Sequence, residues 1–332
     1  MGKLRELRYS PALDGLRAIC IIFTLFNHVS GVPRFINGGV GVDVFFPLSG
    51  FLITGIMLRN DWSNLKSYYI RRLFRIAPVY YLSLFLTVLL ALIAHWLSLG
   101  ESRLDQLGNI IIPSLLFSRE LASASTLFGQ AWTVGIEEKF YITWPIIFLL
   151  VGHNTGRIVL LIAVLIVFST TGSPEMLRGY GGIALGCVSS ILYFTYDFRV
   201  KTSYAAFMLA IAYSYCIYSE AWFKNIAIDL GAALLIPSIF STQSIVSRAL
   251  SYPPVVFLGK LTYSVYMIHV LVFFFVKMLL QHFGIEYWLL VFLIGYALTL
   301  MFAWSIYHFY ENPLIKYGKR LAGNVDLARV AN

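Results

Sequence analysis

The chain has 332 residues, 59% of them hydrophobic and only 12% charged, with a formal net charge of +9 and a mean hydropathy of +0.76. Roughly a quarter of a soluble domain is charged, so half that fraction, with long apolar runs, excludes a water-soluble domain and makes lipid the solvent. Cys20, Cys187 and Cys216, each in an apolar stretch, exclude a disulfide framework or a zinc site, and no soluble basic surface exists to hold nucleic acid.

The N-terminal MGKLRELRYSPALDG is basic but has no short apolar core with a small-residue cleavage site, so a removable signal peptide is not expected. Crossing the hydrocarbon core takes about 20 apolar residues. That ruler predicts ten spans, at 12–30, 38–58, 74–97, 130–152, 156–172, 178–195, 203–219, 223–241, 259–280 and 286–310. Residues 107–118 are too short to cross and read as a re-entrant or interfacial piece. Pro78, Pro145 and Pro237 fall inside spans, where neighbouring helices re-satisfy the freed carbonyls.

The expected fold class is therefore an all-α polytopic membrane protein of ten transmembrane helices. It forms a single domain over 1–332, with a tail at 311–332. An even number of spans places both termini on one side. Seventeen Lys and Arg then share that side and five (Arg34, Arg103, Arg119, Arg178, Lys224) face the other. This is the positive-inside bias, and it predicts both termini in the cytoplasm.

Ionisable residues inside the spans are the candidates for function, because a charge at mid-membrane costs roughly 2.5–3.5 kcal/mol or more and normally faces a cavity or a partner. Span 1 carries Arg17 near its start and His28 eleven residues later. On a continuous helix these lie about 16 Å apart along the axis and within about 20° of one face. Span 2 begins GGVGVDVFFPLSGFL, with Asp43 in its outer part and Ser49 deeper; span 4 reads QAWTVGIEEKFYITWP, with Glu137 and Glu138 in its outer half. A histidine and up to three carboxylates thus converge at similar depth. A second cluster, Arg71, Arg72 and Arg75 of SYYIRRLFRIAPVYY, is expected in the cytoplasmic loop entering span 3. Arg72 and Arg75 share a helix face and suit phosphate as guanidinium forks. His269 is mid-span, as packing or cavity lining; His95, His282 and His153 are expected at interfaces. GGVG (Gly38–Gly41) is too weak to read as a phosphate loop.

A phosphate-attracting end and a histidine–carboxylate end, a half-bilayer or more apart, match a nucleotide-terminated acyl carrier such as coenzyme A. A carboxylate-held histidine is a natural base for driving a hydroxyl onto its thioester. Ser49, Lys139 or a backbone N–H would supply the donor for the developing oxyanion. The rival is a proton-coupled transporter or flippase using the same groups as a relay. It predicts internal repeats with paired broken helices, and the two halves show none.

Six ordered stretches resemble the integral-membrane acyltransferase-3 family: LDGLRA…H (Leu13–His28), GVDVFFPLSGFLI (Gly41–Ile53), RRLFRIAPVYY (Arg71–Tyr81), WTVGIEEKFYITWP (Trp132–Pro145), LGKLTYSVYMIH (Leu258–His269) and ENP (Glu311–Pro313). Residues 156–245 carry little of the likeness. The resemblance implies transfer of an acyl group, commonly acetyl from acetyl-CoA, to a hydroxyl of a surface or lipid-linked glycan. Bacterial O-antigen O-acetyltransferases of the inner membrane are of this kind. It places the essential histidine on His28, the Arg-x-x-Arg motif on Arg72 and Arg75, the span-1 arginine on Arg17 and the acidic residue on Glu137 or Glu138. With Asp43 these form the expected catalytic set, and Arg17, Arg72, Arg75 and Ser49 the donor-binding set. No metal is expected; the partners are acyl-CoA, a glycan and the bilayer. Gly135, where a serine is common, Lys139, where a glutamine is common, and Pro47 within FFPLSGF depart from the pattern.

Overall fold

The computed structural model describes residues 8–59, 65–96, 104–122, 127–152, 154–171, 174–219, 221, 224–241 and 243–330. Arg103 and His153, named above, lie outside them. Thirteen α-helices are formed among the described residues, and no strand: α1 (Pro11–Phe26), α2 (Gly39–Met57), α3 (Leu65–Trp96), α4 (Leu104–Leu115), α5 (Ala131–Val151), α6 (Thr155–Thr171), α7 (Pro174–Tyr196), α8 (Thr202–Tyr218), α9 (Lys224–Ser241), α10 (Ile245–Leu250), α11 (Pro253–His282), α12 (Trp288–Ile306) and α13 (Asn312–Val330). Each of the ten stretches expected to span coincides over most of its length with a helix, and 107–118 falls on the short α4 and the turn after it. Five helical stretches, Gly39–Met57, Leu65–Trp96, Lys224–Ser241, Pro253–His282 and Trp288–Asn324, are long and apolar enough to cross a bilayer. Others turn large apolar side chains outward, as Leu160 and Val167 of α6 and Phe207 and Met208 of α8 do. Exposed apolar faces on this scale fit lipid rather than water: this is a multi-pass membrane protein.

Two expectations about helix boundaries are corrected. α1 starts with Pro11 in its first turn, where a missing N–H costs nothing, but it stops at Phe26 rather than continuing through His28. Its last turn tightens, with Asn27 N–H bonded to Thr24 O at 3.2 Å and His28 N–H to Leu25 O at 3.1 Å. Gly31, at φ 78°, and Pro33 then turn the chain away. His28 therefore sits on the turn after the helix, and the shared face with Arg17 does not exist. In the other direction α3 begins at Leu65, so Arg71, Arg72 and Arg75 are inside a helix and not in a loop. At 32 residues that helix is about 48 Å long, well beyond the hydrocarbon thickness of roughly 30 Å.

The chain divides into two compact units. One holds residues 1–62 and 140–262, the other 63–139 and 263–332, so α5 and α11 contribute a part to each. In the first unit α2 packs against α1, α7 and α9 through glycines. A Cβ at Gly50 would stand 2.1 Å from Ile183 O, and one at Gly186 2.1 Å from Pro47 O, so backbone meets backbone as in small-xxx-small membrane contacts. Ser190 Oγ donates to Phe51 O at 2.9 Å, and Trp144 Nε1 to Thr54 Oγ1 at 3.0 Å. In the second unit α13 packs on α3, with Gly318 against the Phe74 side chain, so the expected tail is a docked helix. Between α12 and α13 the chain makes one π-helical turn, Tyr307–Glu311, a feature frequent at functional sites. Its Glu311 is 1% exposed.

Candidate functional site

The expected site residues fall into two polar clusters, one in each unit. In the first unit, Arg17 and Asp14 stand one turn apart at the start of α1. Arg17 Nη1 donates to Asp14 Oδ1 at 2.6 Å, and Tyr9 Oη to Asp14 Oδ2 at 2.8 Å. The half-buried arginine of this apolar span is thus offset by its own motif, LDGLR. The backbone there is closely packed: a Cβ at Gly259 of α11 would stand 2.0 Å from Asp14 O.

Asp43, fully buried on α2, is held at both oxygens. Arg178 of α7 forms an ion pair with Oδ1 through its Nε, and Asn225 Nδ2 of α9 donates to Oδ2 at 2.8 Å. Arg178 also donates from Nη2 to Gly39 O at 2.5 Å, tying the first turn of α2 to α7. A second acid belongs to this cluster. Asp229, one α9 turn beyond Asn225, is 0% exposed, and neither of its oxygens has a hydrogen-bond partner. It is close enough to interact with both Asp43 and Arg178, and Gly182 leaves room for it, since a Cβ there would stand 2.9 Å from Asp229 Oδ1. Sequence reasoning missed Arg178, Asn225 and Asp229 as site residues. A lone aspartate inside the apolar run IAIDLGAALLI was a usable signal for the last; its partners were not, because they come from other helices. Ser49 shares a 2.8 Å hydrogen bond with Tyr141 Oη. His28 is half-buried on its turn.

In the second unit the Arg-x-x-Arg motif meets acids. Arg72 lies over the Tyr68 ring at 5.8 Å and is near enough to Glu138 to interact with its charge; Arg75 stands in the same relation to Glu311 and Tyr263. The expected separation of arginines and glutamates by a half-bilayer is therefore overturned. α3 starts earlier than its hydropathy suggests, which places Arg72 within the helix beside a glutamate two turns into α5. Glu137 is half-buried next to it. Glu138 and Glu311 each keep one buried oxygen, Oε1, without a hydrogen-bond partner. The other Glu311 oxygen accepts from Ser264 Oγ at 2.5 Å, and Tyr263 Oη donates to Ile76 O at 2.8 Å. His269 is fully buried, its Nδ1 bonded to Tyr266 O at 2.6 Å. Lys139 makes an ion pair with Glu120 on the 3₁₀ turn Arg119–Leu121.

Chemically, each cluster sets half-buried cations beside acids, and in each at least one buried carboxylate oxygen has no hydrogen-bond partner and can accept from a polar group. Among the described residues no three His, Cys, Asp or Glu come together as metal ligands. Ionisable groups inside a membrane body mark candidate functional sites. The acyltransferase-domain model of the acyltransferase-3 family matches residues 10–308, and the chain belongs to that family. It is 28% identical, over 96% of its length and 57% of the relative's, to a Bacillus subtilis (strain 168) protein provisionally named peptidoglycan O-acetyltransferase YrhL. It is 27% identical, over 95% of its length and 59% of the relative's, to a Staphylococcus aureus (strain MSSA476) protein provisionally named an O-acetyltransferase. With the peptidoglycan O-acetyltransferase OatA of Listeria monocytogenes it shares 33% identity over 42% of its own length and 24% of the relative's. The chain thus spans under three fifths of the length of these curated relatives. No solved structure matches it.

Proposed function

We propose that the chain transfers an acetyl group from acetyl-CoA to a hydroxyl of a cell-surface or lipid-linked glycan. The observation that carries this reading is the acyltransferase-domain match over residues 10–308, supported by relatives named for O-acetyl transfer. Those names also favour acyl transfer over the transporter alternative. O-antigen, which the motif resemblance suggests, and peptidoglycan, for which two relatives are named, both offer such hydroxyls.

His28 takes the proton of the acceptor hydroxyl as its oxygen attacks the thioester carbonyl. The carbon–sulfur bond breaks, and the thiolate of coenzyme A leaves with that proton. Asp43, of the same unit, orients the imidazole, while Glu137 and Glu138, beside Arg72, belong to the donor-binding end. Arg72 and Arg75, with Arg17, hold the phosphates of the donor, and Ser49 contacts the arm or the developing oxyanion. The chain crosses a bacterial inner membrane ten times with both termini in the cytoplasm, as its distribution of Lys and Arg favours. The donor then comes from inside and the ester is made at the outer face.

The test is acetyl-CoA-dependent thiol release by the purified protein, wild type and His28→Ala, with and without a glycan extract. Release that needs both His28 and the extract is expected, with a loss of about 10²–10⁴-fold in the variant. Undiminished transfer by His28→Ala sinks the assignment of the base. If the wild type neither releases thiol nor binds acetyl-CoA, the donor assignment falls as well.

A further inference from the structure

Away from both polar clusters, α7 and α9 of the first unit leave an apolar slot between them. Each helix lines it with a stripe at helical spacing: Leu185, Val188 and Leu192 on α7, and Leu230, Leu234 and Pro237 on α9. Seven residues along either stripe make the slot about 10 Å long. Small residues form its floor, where Ser189 Oγ donates to Ala233 O at 2.5 Å and draws the two helices together.

Shape narrows the occupant. The slot has a volume of about 70 Å³, well below the roughly 300 Å³ at which pockets for small molecules begin. Leu192 and Leu230 on its rim are exposed, so it opens sideways onto the apolar outer face of the molecule. A narrow apolar slot facing the bilayer takes a single hydrocarbon chain rather than a water-borne ligand.

The turn from α7 to α8 closes one end and adds charge. Asp197 stands at φ 55° and Phe198 N–H donates to Leu192 O at 3.0 Å. This folds Phe198, Arg199 and Val200 back onto the slot. Arg199 and Lys201 are exposed there, two cations against the one acid of the turn, Asp197. Tyr196, Phe198 and Tyr204 around them are also exposed, and exposed aromatic rings next to cations settle at the level of the lipid headgroups.

We propose that this slot is a binding site for an anionic glycerophospholipid. One acyl chain lies between α7 and α9, and the headgroup phosphate pairs with Arg199 and Lys201. Basic pockets between membrane helices select anionic headgroups in this way, and the guanidinium fork of Arg199, the cation that lines the slot, suits phosphate bidentately. The site lies outside the acyl-transfer machinery and does not depend on that reading.

The experiment titrates the purified full chain in a neutral detergent with dioleoyl phosphatidylglycerol or dioleoyl phosphatidylcholine, and counts bound lipid by native mass spectrometry. The two lipids share their chains and differ in headgroup charge. Phosphatidylglycerol is expected to bind more tightly, by about fivefold for each cation engaged, and to raise the melting temperature accordingly. Arg199→Gln and Lys201→Gln each reduce the preference and the pair removes it, whereas Arg199→Lys keeps most of it and Asp197→Asn increases it. Leu230→Trp, at an exposed position, fills the slot and weakens both lipids alike while leaving their order unchanged. Glycerophosphoglycerol, the same headgroup without chains, does not compete.

Equal binding of the two lipids by the wild type overturns the proposal. So does a preference that survives the double substitution, which would put the anionic lipid elsewhere on the surface. Competition by glycerophosphoglycerol, or no loss of lipid in Leu230→Trp, would show that the slot holds no chain.

Discussion

Lys139 forms an ion pair with Glu120, whose side chain is 2% exposed, and the same ammonium donates to Phe117 O at 2.7 Å. Gly135, one turn earlier on α5, faces the same carboxylate: a Cβ there would lie 2.2 Å from Glu120 Oε2 and 2.8 Å from Phe117 O. The two departures from the family pattern are therefore one structural device. Glycine at 135 makes room for the turn before α5, and lysine at 139 neutralises the acid that turn buries.

Restoring the commoner residues should accordingly harm this chain. Gly135→Ser overpacks the contact and is expected to cost about 1–3 kcal/mol. Lys139→Gln leaves Glu120 buried without its cation; with 35% of the Lys139 side chain exposed, the loss should be roughly 2–4 kcal/mol, below that of a fully buried pair. Thermal unfolding in micelles reads both. Because the two residues share Glu120, Gly135→Ser should cost less in a Glu120→Ala background, the clash with Phe117 O remaining; strictly additive losses would rule out the shared device.

Asp43 and Asp229 sit in one cluster but carry opposite expectations. Asp43 is bonded at both oxygens, so Asp43→Asn removes the carboxylate charge that the Arg178 guanidinium pairs with. With 24% of that side chain exposed, the loss should be about 2–4 kcal/mol, somewhat below that of a fully buried pair. Asp229 has no donor to lose. Asp229→Asn removes a buried acid at nearly the same shape and should be within about 1 kcal/mol of wild type, or more stable. Equal destabilisation by the two amides would show that Asp229 is paired like its neighbour.

Ser49 allows the donor-binding assignment to be separated from simple packing. Its hydroxyl is bonded to Tyr141 Oη, and losing that bond costs about 0.5–1.5 kcal/mol from either side. Ser49→Ala and Tyr141→Phe should therefore melt alike. If Ser49 touches the donor, only Ser49→Ala raises the KM for acetyl-CoA. A KM that moves equally in both, or in neither, reduces Ser49 to a packing residue.

Much of the fold could be read from hydropathy, because a run of about 20 apolar residues has few other solutions. What escaped was polar or short. The first turns of α3 carry Ser67, Arg71 and Arg72 and look like a flank; α10 is six residues capped by Ser244; α13 is amphipathic and docks on α3. The end of α1 was readable, since Asn27, Gly31 and Pro33 are turn formers, but the apolar stretch outweighed them. At the site, sequence position identified single ionisable residues but not their partners. Asp43 with Arg178, and Glu311 with Ser264, join residues from different helices, and only packing brings those together.

The glycines of the first unit give a prediction of sign as well as size. A Cβ at Gly186 or Gly50 would meet backbone atoms of the facing helix at 2.1 Å, and a backbone cannot rotate aside as a side chain can. Either α2 or α7 must shift, so Gly50→Ala and Gly186→Ala should each destabilise by at least about 1–3 kcal/mol. The double variant should cost less than the sum, since one separation of the helices relieves both clashes. Gly108, inside α4, has nothing within 4 Å of its would-be Cβ. There alanine only removes the helix penalty of glycine, and Gly108→Ala should stabilise by roughly 0.5–1 kcal/mol. Parallel unfolding curves of the three single variants check the signs. A loss at Gly108 comparable with that at Gly50 would mean that glycine serves α4 through something other than space.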